Sequence, residues 1–204
     1  MPNGRVSDLT VLCVTAGREY AWPFVEEMEQ LGRDLQAPFV IYDGLEAGYL
    51  EACLDRAVRG CADGYILRLD DDERVSHEMW VWLMERRYRT AEHWSFPRAN
   101  LYPDDRHRLG GRFWPDFQTR LSVKALSGGR HRIHTGSPFG AGQVAPVVIE
   151  HHKLLVRSLE ERQAQAAWYD RVKAGAGTSL TYGPLQTPEL FDVEVVPYET
   201  LVAA

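Results

Sequence analysis

Asp63-Gly64-Tyr65-Ile66-Leu67-Arg68-Leu69-Asp70-Asp71-Asp72-Glu73 is the stretch from which the rest of the chain is read. Tyr65 to Leu69 are apolar or aromatic except for Arg68, with glycine in front and acid behind, the pattern of a short strand in a covered sheet. In open α/β sheets ligands gather at the carboxyl ends of such strands. Four adjacent carboxylates repel one another, so a fold that keeps Asp70, Asp71, Asp72 and Glu73 together is expected to supply a divalent cation or to turn some of them to solvent. A plain acidic turn before a helix capped by Ser76 is the competing reading, since acids also favour helix N-termini.

Working outward, Leu9–Val14 is predicted as a strand ending in the small-residue loop Thr15-Ala16-Gly17. Trp22-Pro23 opens a helix with Val25, Met28, Leu31 and Leu35 at helical spacing. Residues 39–42 form a second strand that stops at Asp43-Gly44. Leu50, Cys53, Leu54, Ala57, Val58 and Cys61 mark one amphipathic helix. Strand, helix, strand, helix, strand by residue 69 predicts an α/β fold, a three-layer α/β/α sandwich on a mostly parallel sheet. A helix from His77 to about Thr90 follows, then an edge strand at Ser95–Ala99, where Pro97 cannot donate to a ladder. Residues 101–117 read as a long functional loop. Strands are expected at 118–123, 130–134 and 144–151, and a charged helix to about Lys173. One domain over residues 1–174 is expected, with an extended tail from 175 to 204.

Hydrophobic residues make up 45% and charged residues 25% of the 204, the proportions of an ordinary globular protein. With no apolar run near eighteen residues, no signal-like start and three cysteines that cannot all pair, the expectation is a cytoplasmic chain without a transmembrane segment. The net charge of −6 conceals an asymmetry: residues 1–85 carry −10, 86–134 carry +7 and 135–204 carry −3. A basic island facing the carboxylate strand suits an anionic ligand better than a sequence-independent nucleic-acid surface, whose basic excess usually covers the whole domain.

The order of parts resembles the GT-A glycosyltransferases, and specifically the small soluble family-2-like enzymes. Tyr65-Ile-Leu-Arg-Leu-Asp-Asp-Asp-Glu73 looks like that family's strand ending in Asp-x-Asp. Residues 110–121, Gly-Gly-Arg-Phe-Trp-Pro-Asp-Phe-Gln-Thr-Arg-Leu, are similar to its downstream aromatic-Pro-Asp-aromatic-Gln-x-Arg-Leu block. Ile133-His134 and Ile149-Glu150-His151 follow in order. The resemblance implies a metal-dependent, inverting transfer of one sugar from a nucleotide-sugar donor, UDP-linked, to an acceptor hydroxyl on a glycan, lipid, protein or modified nucleic-acid base. It implies Mn²⁺ or Mg²⁺ held by Asp72 and a late histidine, His151 first and His134 second. It places donor contacts at Thr15, Asp43, Arg68, Asp70 and Asp71, acceptor or phosphate contacts at Trp114, Gln118, Arg120 and His134, and the general base at Asp116, whose pKa burial against Trp114 and Phe117 would raise. The sequence departs from the family at Gly17-Arg18-Glu19 and Gly44-Leu45-Glu46-Ala47, where an Asn-Glu pair and a second Asp are common. Two further classes stay open: a nucleotidyltransferase acting on sugar phosphates, and a catalytically degenerate nucleotide- or carbohydrate-binding module.

Overall fold

A computed structural model describes residues 7–43, 50–127 and 142–199. In chain order its strands and helices are β1 (Leu9–Val14), α1 (Trp22–Leu35), β2 (Phe39–Tyr42), α2 (Leu50–Arg59), β3 (Tyr65–Asp70), β4 (Glu73–Val75), α3 (His77–Met84), β5 (His93–Asn100), β6 (His107–Leu109), β7 (Asp116–Val123), β8 (Gln143–Val144), β9 (Ile149–His151), α4 (Lys153–Val156), α5 (Leu159–Val172) and β10 (Val195–Pro197). The fold is mixed α/β. One sheet runs β2-β1-β3-β7-β5-β9-β4, with β8 also on β5. It is parallel at β2-β1-β3, the half that the strand-helix alternation predicts, and again where β5 meets β8 and β9. It is antiparallel at β3-β7, β7-β5 and β9-β4.

All six residues of β1 are buried because the strand is covered on both faces. Leu9, Val11 and Cys13 pack with Phe24, Val25, Met28 and Leu31 of α1 and with Met79, Trp82 and Leu83 of α3. Leu12 and Val14 point the other way, into Cys53, Leu54, Ala57 and Val58 of α2. Cys13, Cys53 and Cys61 are free and buried, as expected of core thiols; Cys61 lies just past α2 rather than on it. Gly64 is required where it stands: its φ is +118° and a Cβ there would lie 2.3 Å from the Asp8 carbonyl oxygen. That close approach lets Tyr65 N–H donate to the same carbonyl and start β3.

Several boundaries differ from the sequence reading for identifiable reasons. The helix from His77 ends at Met84 because Arg86 takes a left-handed conformation, φ 56°, and Arg87–Thr90 form a separate 3-10 turn. Ser76 caps α3 as predicted, accepting from Met79 N–H at 3.2 Å. β5 is internal rather than an edge. Pro97, opposite Phe117 of β7, is tolerated because on the other side β8 pairs only as far as Ser95 and β9 begins at Arg98, so the gap between them takes the residue that has no N–H to give. The long loop holds β6 and a 3-10 turn at Gly111–Phe113, and Asp116 begins a strand. The predicted 144–151 strand is two short ones. The predicted strand at 130–134 lies outside the described residues.

The C-terminal segment, expected as an extended tail, lies on the domain as far as Tyr198. β10 pairs with β6, and Tyr198 Oη–H donates to Glu150 at 3.1 Å. Arg162 of α5, buried, donates to the Gln186 carbonyl at 2.6 Å and to Glu189 at 2.5 Å, and Lys153 donates to Gln186 Oε1. Arg162→Ala is therefore expected to release residues 183–190 before global unfolding, seen as hydrogen exchange of their amides rising to near the unprotected rate while β1 and β3 stay protected. Unchanged protection of these amides would show that the 3-10 turns hold the segment without the guanidinium. Among the described residues no helix is long and apolar enough to cross a membrane.

Candidate active site

The β3-to-β4 turn carries Asp70, Asp71, Asp72 and Glu73, and the structure gives each carboxylate a different partner. Thr15 Oγ–H and Ala16 N–H donate to Asp71 at 2.8 and 3.1 Å, so Asp71 clips the loop after β1 onto the end of β3. The Thr15 hydroxyl, accepting from Gly17 N–H as well, is engaged within this loop. Glu73, fully buried, accepts from Asp70 N–H at 3.1 Å and from Arg120 through Nε at 2.9 Å and Nη2 at 2.6 Å. The same Nη2 donates to Asp70 at 2.6 Å. Arg98 joins Glu73 at 3.1 Å to Asp116 at 2.6 and 2.9 Å. Arg157, after α4, donates to Asp72 at 2.7 Å.

A β-bulge aims Arg120. Trp94 is opposite Leu121 and Ser95 opposite Thr119, which leaves Arg120 without a partner across the ladder and free to turn toward β3 and β4. The two motifs that stand apart in sequence, 65–73 and 110–121, are thereby two sides of one lattice of charge-assisted hydrogen bonds. Three arginines, 98, 120 and 157, neutralise carboxylates that the sequence alone left in mutual repulsion.

Burial raises Asp70 to about 6, against the pull of Arg68. Burial also raises Glu73 well above the usual carboxylate range, Asp70 adding to it. Asp72 is held low: burial would raise it, but Arg157 and His151 outweigh that. Asp116 corrects an expectation. Burial pushes its pKa up, yet Arg98, Gln118 at 2.8 Å and Asn100 at 3.3 Å push harder in the other direction, and the group is lowered. It is an ionised carboxylate in an arginine's grip, its side chain 18% exposed, not a carboxyl desolvated by aromatic rings.

His151 on β9 is buried opposite Glu73. Its Nε2 lies 3.4 Å from Asp72 Oδ1 and its Nδ1 2.7 Å from Asn100 Oδ1. Desolvation and Arg98 lower its pKa to about 4, against the pull of Asp72. Nitrogen and carboxylate oxygen converging on one point fit a dication that accepts both, and Asp72 with His151 would hold it. Among the described residues no group of three or more His, Cys, Asp or Glu side chains forms a metal site. A dication on this pair would complete its shell with phosphate oxygens and water, as Mg²⁺ commonly does.

The remaining candidates lie apart or face inward. Asp43 is exposed at the end of β2, and Arg68 lines a small recess of mixed lining with Leu54, Ile66, Thr119, Arg120 and Ser122. Gln118 and Arg120 serve Asp116, Asp70 and Glu73 rather than an open surface. Trp114 packs against Ala99, Leu101 and Val148, with the Arg108 guanidinium 4.1 Å above its ring, which covers the face expected to stack on a sugar. His134 lies outside the described residues. Sequence reading missed Arg98, Asn100 and Arg157.

No protein-family model matches the chain, and no curated protein matches it. Among solved structures, the crystal structure of S. aureus TarS 1–349 aligns at a TM-score of 0.38 and 8% identity, over 81% of this chain and 66% of that one. A likeness at that identity and TM-score carries no functional argument.

Proposed function

We propose that the chain is a nucleotide-sugar-dependent glycosyltransferase of the GT-A type, transferring one sugar with inversion to an acceptor hydroxyl. The observation that carries this is the meeting of Asp72 Oδ1 and His151 Nε2 at the carboxyl end of β3, beside an ionised Asp116. A dication bound there would neutralise charge developing on the leaving diphosphate. Arg157, beside Asp72, adds a fixed positive charge to the same end of the site. Asp70 is the acceptor for donor hydroxyls. The acceptor oxygen attacks the anomeric carbon, the carbon–oxygen bond to the diphosphate breaks with its electron pair leaving on the nucleoside diphosphate, and the hydroxyl proton passes to Asp116.

Thermal shift tests the binding half. UDP in large excess over its dissociation constant is expected to raise the melting temperature with Mn²⁺ and not in chelator, since about 100 Kd of ligand adds about 2.7 kcal/mol. Asp72→Asn is expected to abolish that shift, a neutral amide being a poorer ligand for a hard cation. Equal stabilisation in chelator would remove the metal from the reading. Pyrophosphate instead of nucleoside diphosphate as product would assign the site to nucleotidyl transfer.

A further inference from the structure

We propose that the cleft enclosed by α1, β4 and α3 is a binding site for a small neutral hydrocarbon ligand, about one six-membered ring in size. The site stands apart from the glycosyltransferase reading and needs neither cation nor nucleotide.

Phe24, Met28 and Leu31 of α1, Leu69 of β3, Val75 of β4 and Trp80 of α3 wall a space of about 150 Å³. The first four are buried core residues, and Val75 and Trp80 pack against the same core. Protein interiors hold few voids larger than a water molecule, so a space of this size against the core stands out from ordinary packing. Water is a poor occupant. A buried water needs about 2–4 polar partners, and the charged and amide side chains of the wall are already engaged. Both Glu73 oxygens accept from Arg98, Arg120 and Asp70 N–H. Gln30 bonds to Asp34 and Arg33, and Glu27 pairs with Arg74 at 2.8 Å. Apolar cavities of about 150 Å³ stay dry and take up benzene or xenon. The half-exposed Glu27 and Arg74 decide the ligand's charge. They come from opposite walls, α1 and β4, and the Arg74 guanidinium lies 4.8 Å over the Phe24 ring. A carboxylate on the ligand would face Glu27 and an ammonium would face Arg74, so either charge would break the existing pair or go unpaired. A neutral ring meets neither cost, and Phe24, Trp80 and the Met28 thioether give it aromatic and sulfur contacts.

Titration of benzene, in chelator, into the full chain labelled with ¹³C at its Met, Leu and Val methyls tests this. The ring current of the bound benzene is expected to shift the methyls of Met28, Leu31, Leu69 and Val75 along one saturating curve, while the exposed methyls of Met84, Val144 and Leu180 stay in place. No shift, or a non-saturating drift shared with the exposed methyls, would overturn the proposal. Benzoate, the same ring with a charge, should bind at least about tenfold more weakly. Equal affinity for benzoate would show a solvated, polar site and overturn it as well. Leu31→Phe, which puts a ring of its own into the space, should abolish the benzene shifts of Met28 and Leu69. Undiminished affinity in that variant would place the benzene elsewhere and overturn the assignment. Where Leu31→Phe does not fold, the wild-type titrations with benzene and benzoate decide it.

Discussion

Arg120→Met is expected to destabilise the protein by about 3–5 kcal/mol, the cost of removing one partner from a buried ion pair. The side chain is 3% exposed and its Nη2 serves Asp70 and Glu73 at once. Methionine fills much of the volume but leaves Glu73, itself fully buried, with only Arg98 and the Asp70 N–H. The carboxyl then relieves the strain by taking up a proton, so the loss should grow as pH rises. The sign follows from linkage: Glu73 already has a folded pKa above its unfolded value, removing Arg120 raises it further, and stability then falls as pH rises through that value. Urea unfolding at two pH values measures both effects. A loss under about 1 kcal/mol would mean that the lattice merely balances its desolvation cost. A double-mutant cycle with Glu73→Gln would apportion the coupling between the two side chains.

Asp116→Asn is expected to lower the transfer rate by roughly 10²–10⁴-fold, the usual contribution of a positioned proton acceptor. Donor KM should change little, because an interaction used only in the transition state is what goes. The variant also turns one partner of Arg98 from a charge into an amide. A stability loss of about 1–3 kcal/mol should therefore accompany the kinetic one, so the assay belongs well below the variant's melting temperature. Loss of donor binding together with rate would move Asp116 into the nucleotide site. A wild-type rate would leave Glu150, which accepts from Tyr198, or the exposed Asp105 as the next carboxylate to test.

The parallel half of the fold was legible because its signals are local. β1, α1, α2 and β3 each declare themselves by apolar spacing within a dozen residues, and the acid stop after Leu69 marks a strand end whatever lies around it. Asp116 was legible as a residue but not as an environment. The sequence shows Trp114 and Phe117 beside it, whereas the structure turns Trp114 onto Arg108 and brings Arg98 across from the next strand. Asn100 and Arg157 carry no local mark at all. One ends an internal strand containing a proline and the other ends a single helical turn, and their roles exist only because β9 and α4 return to β4. Beyond the two motifs themselves, the charge asymmetry was the sequence trace of the lattice. It placed the basic island opposite the acids correctly, but Arg98 and Arg120 from that island hold the chain's own carboxylates.

The lattice also bears on how long the native state persists. Its bonds join residues 47, 50 and 85 apart in sequence. β1 pairs with β3 across 56 residues and Arg120 reaches Glu73 and Asp70 across 47 and 50, whereas Arg157 reaches Asp72 across 85, after β9 and α4 have come back across the sheet. The longest closure is the least favourable to form early, so the Arg157–Asp72 bond is expected to form after the rate-limiting step of folding. Substitution of Arg157 should then leave the refolding limb of a chevron nearly unmoved and speed escape from the native state, with a φ-value near zero. The same charges that organise the candidate site would set the lifetime of the folded molecule.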